Sequence, residues 1–277
     1  MNITAADVNK LRQMTGAGMM DCKKALTEAE GDFDKAVEVL RKAGQKVAAK
    51  RADNATSEGL VFIDVSDSGK SAKIVAFACE TEPVAKVEDF RNLGNAILQA
   101  AVKHHTKDAA TLLSLALADG RTVEENITDL VGKIGEKMVI ADFAHIEGEQ
   151  VVAYLHSNLK EAAIVAFENT NGTDVSEVGR DVAMQIVAMK PVALNKEGVD
   201  EATIQKEIEI GKEQARAEGK PEAMLEKIAM GKLNKFYKDS ILLNQEFVKD
   251  PSVTIAQLIE KTQKGLTISS FKRVKIG

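Results

Sequence analysis

Apolar residues recur every three or four positions near the N-terminus, a spacing typical of helices that bury one face. Thr4 followed by Asp7 is typical of a helix start, and Thr-Gly-Ala-Gly at 15–18 interrupts the apolar pattern. Helices this short are marginal alone, so we predict that three short helices pack as a bundle over residues 1–54. The polar segment 53–57 at its end is interpreted as a linker.

From Gly59 onward, the pattern changes to the shorter period of β-strands. Apolar runs at 60–63 and 74–77 flank a polar turn and predict a β-hairpin. Helical spacing then returns, and strand-like runs follow it. The expected helices lie at 90–101, 112–117 and 127–134, and the expected strands lie at 138–140 and 151–154.

An internal repeat connects the two β regions. Ile-Val-Ala-Phe at 74–77 recurs at 164–167, an offset of 90 residues. Other apolar positions match at this offset: Val61 with Val151, Leu93 with Ala183, Ala96 with Ile186, and Ile97 with Val187. Chance reuse of common strand residues is the alternative, but the matching order of elements favours duplication. We therefore predict two related α+β subdomains, 55–142 and 143–277.

Residues 196–239 have a narrow apolar stripe, and charged residues occupy most of the other positions. Gly219 and Pro221 interrupt this stripe, as expected where one helix ends and the next begins. The pattern predicts an inserted antiparallel coiled-coil hairpin that projects from the body. A helix near 255–259 and an alternating strand at 266–273 complete an α+β fold.

The composition indicates a soluble globular protein. The chain has 277 residues, of which 44% are hydrophobic, and its net charge is −5. Its longest apolar runs fall far short of the roughly 18–20 residues of a membrane span, and its first residues do not resemble a secretory signal. The two cysteines, Cys22 and Cys79, indicate no disulfide framework, so we expect a cytoplasmic protein.

Nucleotide-binding and metal-binding patterns do not fit. The run 16–18 begins like a dinucleotide fingerprint, but Asp21 stands at its third glycine. The run 69–71 ends like a phosphate-binding loop, but Asp64 stands at that loop's first glycine. No histidine has metal-ligand spacing with a cysteine or carboxylate; the four are His104, His105, His145 and His156. We therefore expect a binding protein with no catalytic residue, metal, cofactor or directly bound nucleotide.

Two other readings of the chain remain open. The basic stretch 41–51 could contact RNA, although the absence of interleaved aromatic residues favours a solvated helix face. Cys22 or Cys79 could act as a nucleophile. Neither has a histidine nearby in sequence, which favours buried structural thiols.

The run LRQMTGAGMMDCKKAL at residues 11–26 resembles the N-terminal signature of the elongation factor Ts family, the guanine-nucleotide exchange factors of elongation factor Tu. Further matches cover essentially the whole chain, at 79–86, 154–156, 190–191 and 235–248. The resemblance implies a ubiquitin-associated-like helical bundle, two related core subdomains and an inserted coiled coil.

The resemblance also implies nucleotide exchange without covalent chemistry. The chain would bind elongation factor Tu in its GDP-bound and nucleotide-free forms and disturb the contacts of the bound magnesium and phosphates. By reciprocity, a partner that prefers the empty GTPase weakens GDP binding by the same factor. The chain itself would bind no nucleotide and no membrane, and nucleic acid is not an expected partner. The alternative is a translation-associated RNA-binding protein without exchange activity.

Five residues match positions that the family uses to contact its partner. Arg12, Met19, Met20 and Lys23 match contacts in the signature, and His156 matches an interface histidine. Because adjacent residues on a helix cannot both face inward, we expect Met19 or Met20 to be exposed. Flexible thioethers suit a binding surface.

The family's magnesium-dislocation loop, usually Thr-Asp-Phe-Val, corresponds here to Thr81, Glu82, Pro83 and Val84. The acid is one methylene longer, and the aromatic ring is absent. Proline cannot fill a pocket shaped for phenylalanine, and it should favour an extended conformation at Glu82 in a stiff loop. We therefore expect weaker insertion here, so that disturbance of the magnesium relies more on Glu82 or on other contacts.

Overall fold

Residues 3–277 are described by the computed structural model, and they form eleven α-helices and eight β-strands. The helices are α1 (Ala5–Thr15), α2 (Met19–Glu28), α3 (Phe33–Lys50), α4 (Glu82–Ala85), α5 (Glu88–Lys103), α6 (Ala109–Leu112), α7 (Val123–Ile134), α8 (Ser176–Met189), α9 (Glu201–Ala217), α10 (Glu222–Ser240) and α11 (Ile255–Thr262). The strands are β1 (Glu58–Val65), β2 (Ser71–Cys79), β3 (Met138–Glu147), β4 (Gln150–Leu155), β5 (Glu161–Glu168), β6 (Glu246–Phe247), β7 (Asp250–Thr254) and β8 (Thr267–Lys275). The fold is of the α+β class that the sequence predicts.

The N-terminal helices α1, α2 and α3 pack around a small apolar core. The Thr4 hydroxyl accepts a hydrogen bond from the Asp7 N–H, and the Asp7 carboxylate accepts one from the Thr4 N–H, which confirms the predicted helix start. Helix α3 continues to Lys50, so the basic stretch 41–51 lies mainly on this helix rather than after a short one. Residues 1 and 2 of the expected unit 1–54 lie outside the described residues.

The predicted helix at 112–117 is wrong. Helix α6 ends at Leu112, and the following residues form a turn in which the Leu117 N–H donates to the Arg121 carbonyl. Leu115 and Leu117 are still partly buried against the apolar core formed by β2, α5 and α7, but they reach it from this turn. Both side chains can reach the core without a helix, because a short apolar run does not specify its backbone conformation.

In the described residues, the body contains two three-stranded antiparallel sheets, ordered β1-β2-β3 and β4-β5-β8. The predicted hairpin is confirmed, with Ile63 opposite Ile74. Strand β3 pairs with β2 as far as Glu147, so the boundary predicted between residues 142 and 143 falls within this strand. The turn after Glu147 separates the two sheets.

Each central strand is buried on both faces. In β2, Val75 and Phe77 face helix α5, whereas Ile74 and Ala76 face the second sheet. Strand β5 repeats this division between α8 and the first sheet. The layers are therefore helix, sheet, sheet and helix. The alanines on the inner faces leave room for the sheets to pack closely.

The structure shows the internal repeat in three dimensions. The Val61 N–H donates to the Leu159 carbonyl at 2.8 Å, and the Val151 N–H donates to the Gly69 carbonyl at 2.7 Å. The two donors, Val61 and Val151, are 90 residues apart, and so are the two acceptors, Gly69 and Leu159. Each central strand also has a register shift at the corresponding place, after Ala76 and after Ala166. The sheets are thus joined by reciprocal contacts.

The offset is different in the helices. A Cβ atom on Gly94 of α5 would lie 2.3 Å from the Phe62 ring, and one on Gly179 of α8 would lie 2.5 Å from Val152. Phe62 and Val152 differ by 90 residues, but the two glycines differ by 85. The predicted match of Leu93 with Ala183 is therefore wrong by five residues. The first copy thus has five more residues between Phe77 and Gly94 than the second has between Phe167 and Gly179.

Helices α9 and α10 form the predicted antiparallel hairpin. Gly219 adopts a positive φ of 73° at the turn. A Cβ atom on Gly211 would lie 3.1 Å from the Ala229 Cα, so the two backbones approach closely at this point. Lys212 and Glu226 form an ion pair of 3.0 Å across the hairpin.

The bundle packs on the body through α3 and α7. Gly44 of α3 faces Gly132 of α7, and a Cβ atom on Gly132 would lie 2.7 Å from the Gly44 Cα. Only residues without side chains permit this approach. The crossing determines where the bundle sits relative to the first subdomain.

Candidate partner-binding surface

The turn between α1 and α2 has a well-defined hydrogen-bonding pattern. Gly16 has a φ of 68°, and its N–H donates to the Arg12 carbonyl at 2.7 Å, which ends α1 in a left-handed cap. The Thr15 hydroxyl donates to the Leu11 carbonyl at 2.8 Å. The buried Cys22 thiol lies 3.7 Å from the Ala17 carbonyl. These contacts fix the backbone of the turn within the signature run 11–26.

Three methionines are exposed around this turn. The solvent-exposed fraction is 56% for Met14, 52% for Met19 and 62% for Met20. The sequence predicts that at least one of Met19 and Met20 is exposed, and both are. Arg12 and Lys23 are also exposed. Sequence analysis missed Met14, whose exposure depends on how α1 packs. Together these residues define an apolar surface with flanking positive charge, which we call the methionine surface.

The segment Thr81–Val84 includes the short helix α4. Thr81, Glu82 and Pro83 are exposed, whereas Val84 is buried in the apolar core formed by β2, α5 and α7. Glu82 is the first residue of α4, so the predicted extended conformation at this residue is wrong. Proline is tolerated in a first helical turn, where its missing N–H costs no helical hydrogen bond, and the burial of Val84 holds the turn. Lys86 lies 2.8 Å from the Glu82 carboxylate, and this hydrogen bond lowers the pKa of Glu82.

Two carboxylates anchor the start of this segment. The Glu136 side chain accepts hydrogen bonds from the Thr81 N–H at 3.0 Å and from the Thr81 hydroxyl at 2.7 Å. The Glu80 side chain accepts from the Lys137 N–H at 2.6 Å and from Arg51 at 2.9 Å. The Lys137 hydrogen bond, together with weaker contributions from its other partners, lowers the pKa of Glu80. Sequence analysis missed Glu136, because 55 residues separate it from Thr81.

The end of α7 connects the methionine surface with the segment Thr81–Val84. Lys133 lies over the signature turn, since a Cβ atom on Gly16 would lie 2.3 Å from its Nζ atom. The same ammonium pairs with Asp89 of α5 at 2.7 Å. Glu136, which holds Thr81, follows three residues later. The structure therefore attaches both predicted contact regions to one helix end.

His156 lies in the turn between β4 and β5. Its ring is half-buried, and its Nδ1 atom lies 3.0 Å from the Tyr154 hydroxyl. The same turn contacts β1, because Lys160 pairs with Glu58 at 2.5 Å. Glu58 in turn lies opposite Cys79, at the end of β2 that leads into the segment Thr81–Val84. The turn with His156 and this segment thus both adjoin β1.

Both cysteines are buried, as the sequence predicts. Burial raises the pKa of the Cys79 thiol to about 12, and its Sγ atom donates to the Thr81 carbonyl at 3.2 Å. A thiol with this pKa is not ionised near neutral pH, so it is a poor nucleophile. These properties favour a structural role.

The basic stretch on α3 forms a solvated helix face, as favoured by the sequence. Arg41, Lys42, Lys46 and Lys50 are exposed. Arg51 instead forms an ion pair with Glu80.

Across residues 3–277, no helix is both long enough and apolar enough to span a membrane. In the same range, no group of three histidine, cysteine or acidic residues has the arrangement of a metal site.

Comparison with known proteins reveals relatives along the whole chain. A family model described as "Elongation factor TS" matches residues 80–277. A protein named Elongation factor Ts from Cytophaga hutchinsonii is 64% identical over 274 residues, which cover 99% of both chains. Proteins of the same name from Amoebophilus asiaticus and Porphyromonas gingivalis are 50% and 46% identical, over 277 and 273 residues. The former match covers 100% of both chains, and the latter covers 99% of this chain and 98% of the relative. The chain therefore belongs to the elongation factor Ts family of translation elongation factors.

Proposed function

We propose that this protein is a guanine-nucleotide exchange factor that binds elongation factor Tu, promotes GDP release and so allows GTP to reload during translation elongation. It acts in the cytoplasm, without a cofactor and without covalent chemistry. The observation that carries the proposal is the attachment of two surfaces to the end of α7. These are the methionine surface and the segment Thr81–Val84.

The methionine surface is the docking site in this proposal. Met19 and Met20 supply flexible apolar side chains that adapt to a partner pocket, and Met14 extends the same surface. Arg12 and Lys23 supply positive charge at its rim, where charge steers association more than it adds affinity. Residues 1–54 thus act as a ubiquitin-associated-like docking unit. His156 provides a second contact from the second subdomain.

The segment Thr81–Val84 acts on the nucleotide site. Magnesium requires nearly octahedral coordination by oxygen atoms, so small displacements of the surrounding GTPase segments weaken its binding. The Glu82 carboxylate is exposed and already paired with Lys86. Contact with the GTPase therefore requires Glu82 to exchange one partner for another. The factor binds the nucleotide-free GTPase more tightly, and reciprocity then weakens GDP binding.

Pro83 makes the insertion shallow. Its exposed ring follows Glu82 in the first turn of α4. A phenylalanine ring buries about 150–250 Å² in a partner pocket, whereas the proline ring is smaller and has no rotatable bond to reach outward. Glu82 and the contacts of the methionine surface therefore contribute more to exchange in this protein.

The body supplies two related subdomains. We propose 55–147 and 148–277 as their ranges, because β3 extends to Glu147. The coiled-coil hairpin at about 196–239 is an insertion in the second subdomain. In this proposal, the duplicated core holds both the segment Thr81–Val84 and the turn with His156 next to β1.

Release of a fluorescent GDP analogue from elongation factor Tu tests the proposal directly. With excess unlabelled GDP, substoichiometric amounts of this protein should accelerate release, with each molecule acting many times. No acceleration and no binding to nucleotide-free elongation factor Tu would contradict the proposal. Binding to RNA that weakens steeply with salt, without acceleration, would instead favour the RNA-binding alternative.

A further inference from the structure

The connection between α7 and β3 forms contacts on two sides. Gly135 ends α7 with a φ of 86°, and its N–H donates to the Val131 carbonyl. The next residue, Glu136, accepts both hydrogen bonds from Thr81. Because Gly135 ends the helix in a defined left-handed cap, the direction in which the chain leaves α7 is fixed. The position of Glu136 is therefore determined by the helix end.

The same connection also holds the end of the N-terminal bundle. The Lys137 ammonium donates to the Ala52 carbonyl and, at 2.9 Å, to the Asn54 carbonyl. Glu80 accepts hydrogen bonds from both Arg51 and Asn54 while it accepts the Lys137 N–H. The segment expected to be a linker is thus tied to the body. We call Glu80, Thr81, Glu136 and Lys137 the clamp.

The Thr81 hydroxyl bonds to Glu136 of the clamp instead of capping helix α4. Threonine before a helix commonly caps that helix with its hydroxyl. Among the described residues, Thr81 makes no such bond to α4, and its hydroxyl donates to Glu136 instead. Helix α4 has only four residues, and it is held on its inner side by Val84 and Ala85. Glu136 therefore supplies the two hydrogen bonds that hold the residue before α4.

We propose that Glu136 is a positioning residue for nucleotide exchange: its two hydrogen bonds to Thr81 hold the segment Thr81–Val84 in a fixed place relative to the docking bundle. This inference rests on the proposed function. When the bundle docks on the GTPase, the clamp carries the segment to the nucleotide site in one arrangement. Without Glu136, the segment remains attached but samples several arrangements. The exchange-competent fraction falls, and the maximal rate falls with it.

Three variants separate geometry from charge. Glu136→Ala removes both hydrogen bonds. Glu136→Gln keeps both, because its amide oxygen accepts the Thr81 N–H and its amide nitrogen donates to the Thr81 hydroxyl. Glu124→Ala is the matched control, since Glu124 is an exposed acid at the opposite end of α7.

The measurement is GDP release from elongation factor Tu at increasing concentrations of each full-length variant. We expect Glu136→Ala to lower the maximal release rate at least tenfold, while the concentration for half-maximal release stays within threefold of the parent. Glu136→Gln and Glu124→Ala should stay within twofold in both quantities. In the free protein, hydrogen exchange at the Thr81 amide should accelerate in Glu136→Ala alone.

Equal maximal rates for Glu136→Ala and the parent would overturn the inference. Equal losses in Glu136→Ala and Glu136→Gln would also overturn it, because they would assign the effect to charge. A parent protein that does not accelerate GDP release would contradict the proposed function itself. In that case, unchanged protection of the Thr81 amide in Glu136→Ala would contradict the clamp independently.

Discussion

Replacement of Gly132 by alanine tests how tightly the bundle is packed on the body. The new Cβ atom would lie 2.7 Å from the Gly44 Cα, and an ordinary contact begins near 3.4 Å. Helices α3 and α7 must therefore separate by about 0.7 Å at their crossing. Overpacking of this kind costs about 1–3 kcal/mol. Alanine also favours helix formation over glycine by about 0.5–1 kcal/mol, which offsets part of that cost.

Gly231→Ala is a control that isolates the packing effect. Gly231 also lies within a helix, α10, and a Cβ atom there would have no neighbour within 4 Å. Gly231→Ala should therefore stabilise the protein by the helix-propensity term alone. We expect Gly132→Ala to be less stable than Gly231→Ala by about 1–3 kcal/mol. Gly44→Ala, with its nearest contact at 3.2 Å, should fall between them.

Equilibrium unfolding in guanidinium chloride measures these differences, provided that the slope of the transition is unchanged. GDP release from elongation factor Tu should also slow in Gly132→Ala, because the separation shifts the bundle relative to the segment Thr81–Val84. A Gly132→Ala protein as stable as Gly231→Ala would refute the reasoning. It would mean that the two helices do not cross at this distance.

Three further predictions concern the proposed contacts. Pro83→Phe should raise the GDP release rate, because the ring restores apolar area for the partner pocket at an exposed site; no change or a slower release would contradict shallow insertion. Met20→Ala should weaken binding to nucleotide-free elongation factor Tu by about tenfold or more without changing the unfolding midpoint, whereas Met224→Ala, which removes a comparably exposed methionine on the hairpin, should leave binding unchanged. Glu80 has a pKa below its ordinary value of 4.5, so its stabilising contribution is complete above about that pH and is lost as the pH falls through the lowered pKa. The stability difference between the parent and Glu80→Gln, measured by denaturant unfolding, should therefore shrink on acidification, and a difference that grows would contradict this sign.

The repeat gives the segment Thr81–Val84 a structural context. The two copies share strand register and sheet contacts at an offset of 90 residues, but their helices match at 85. The first copy therefore has five more residues between Phe77 and Gly94 than the second has between Phe167 and Gly179, and this longer stretch includes Thr81–Val84. The segment proposed to act on the GTPase thus lies in a stretch whose length differs between the two copies.

The sequence by itself determined the features that depend on near neighbours. The capping box of Thr4 and Asp7 joins residues three positions apart, and the hairpin of β1 and β2 is closed by a short polar turn. Gly219 and Pro221 likewise mark the turn between α9 and α10. These elements follow from local spacing, because the interacting groups are brought together by the backbone conformation itself. The signature at 11–26 was also sufficient to predict the family.

Tertiary structure decided the features that join distant residues. Leu115 and Leu117 are partly buried from a turn rather than from a helix, because burial constrains the side chain more strongly than the local backbone. The Gly44–Gly132 crossing and the hydrogen bonds from Thr81 to Glu136 join residues 88 and 55 positions apart. No periodicity in the sequence predicts a contact at such separations, because whether the two residues meet depends on how whole helices pack. The candidate contact residues could therefore be named from the sequence, but their arrangement around the end of α7 required the fold.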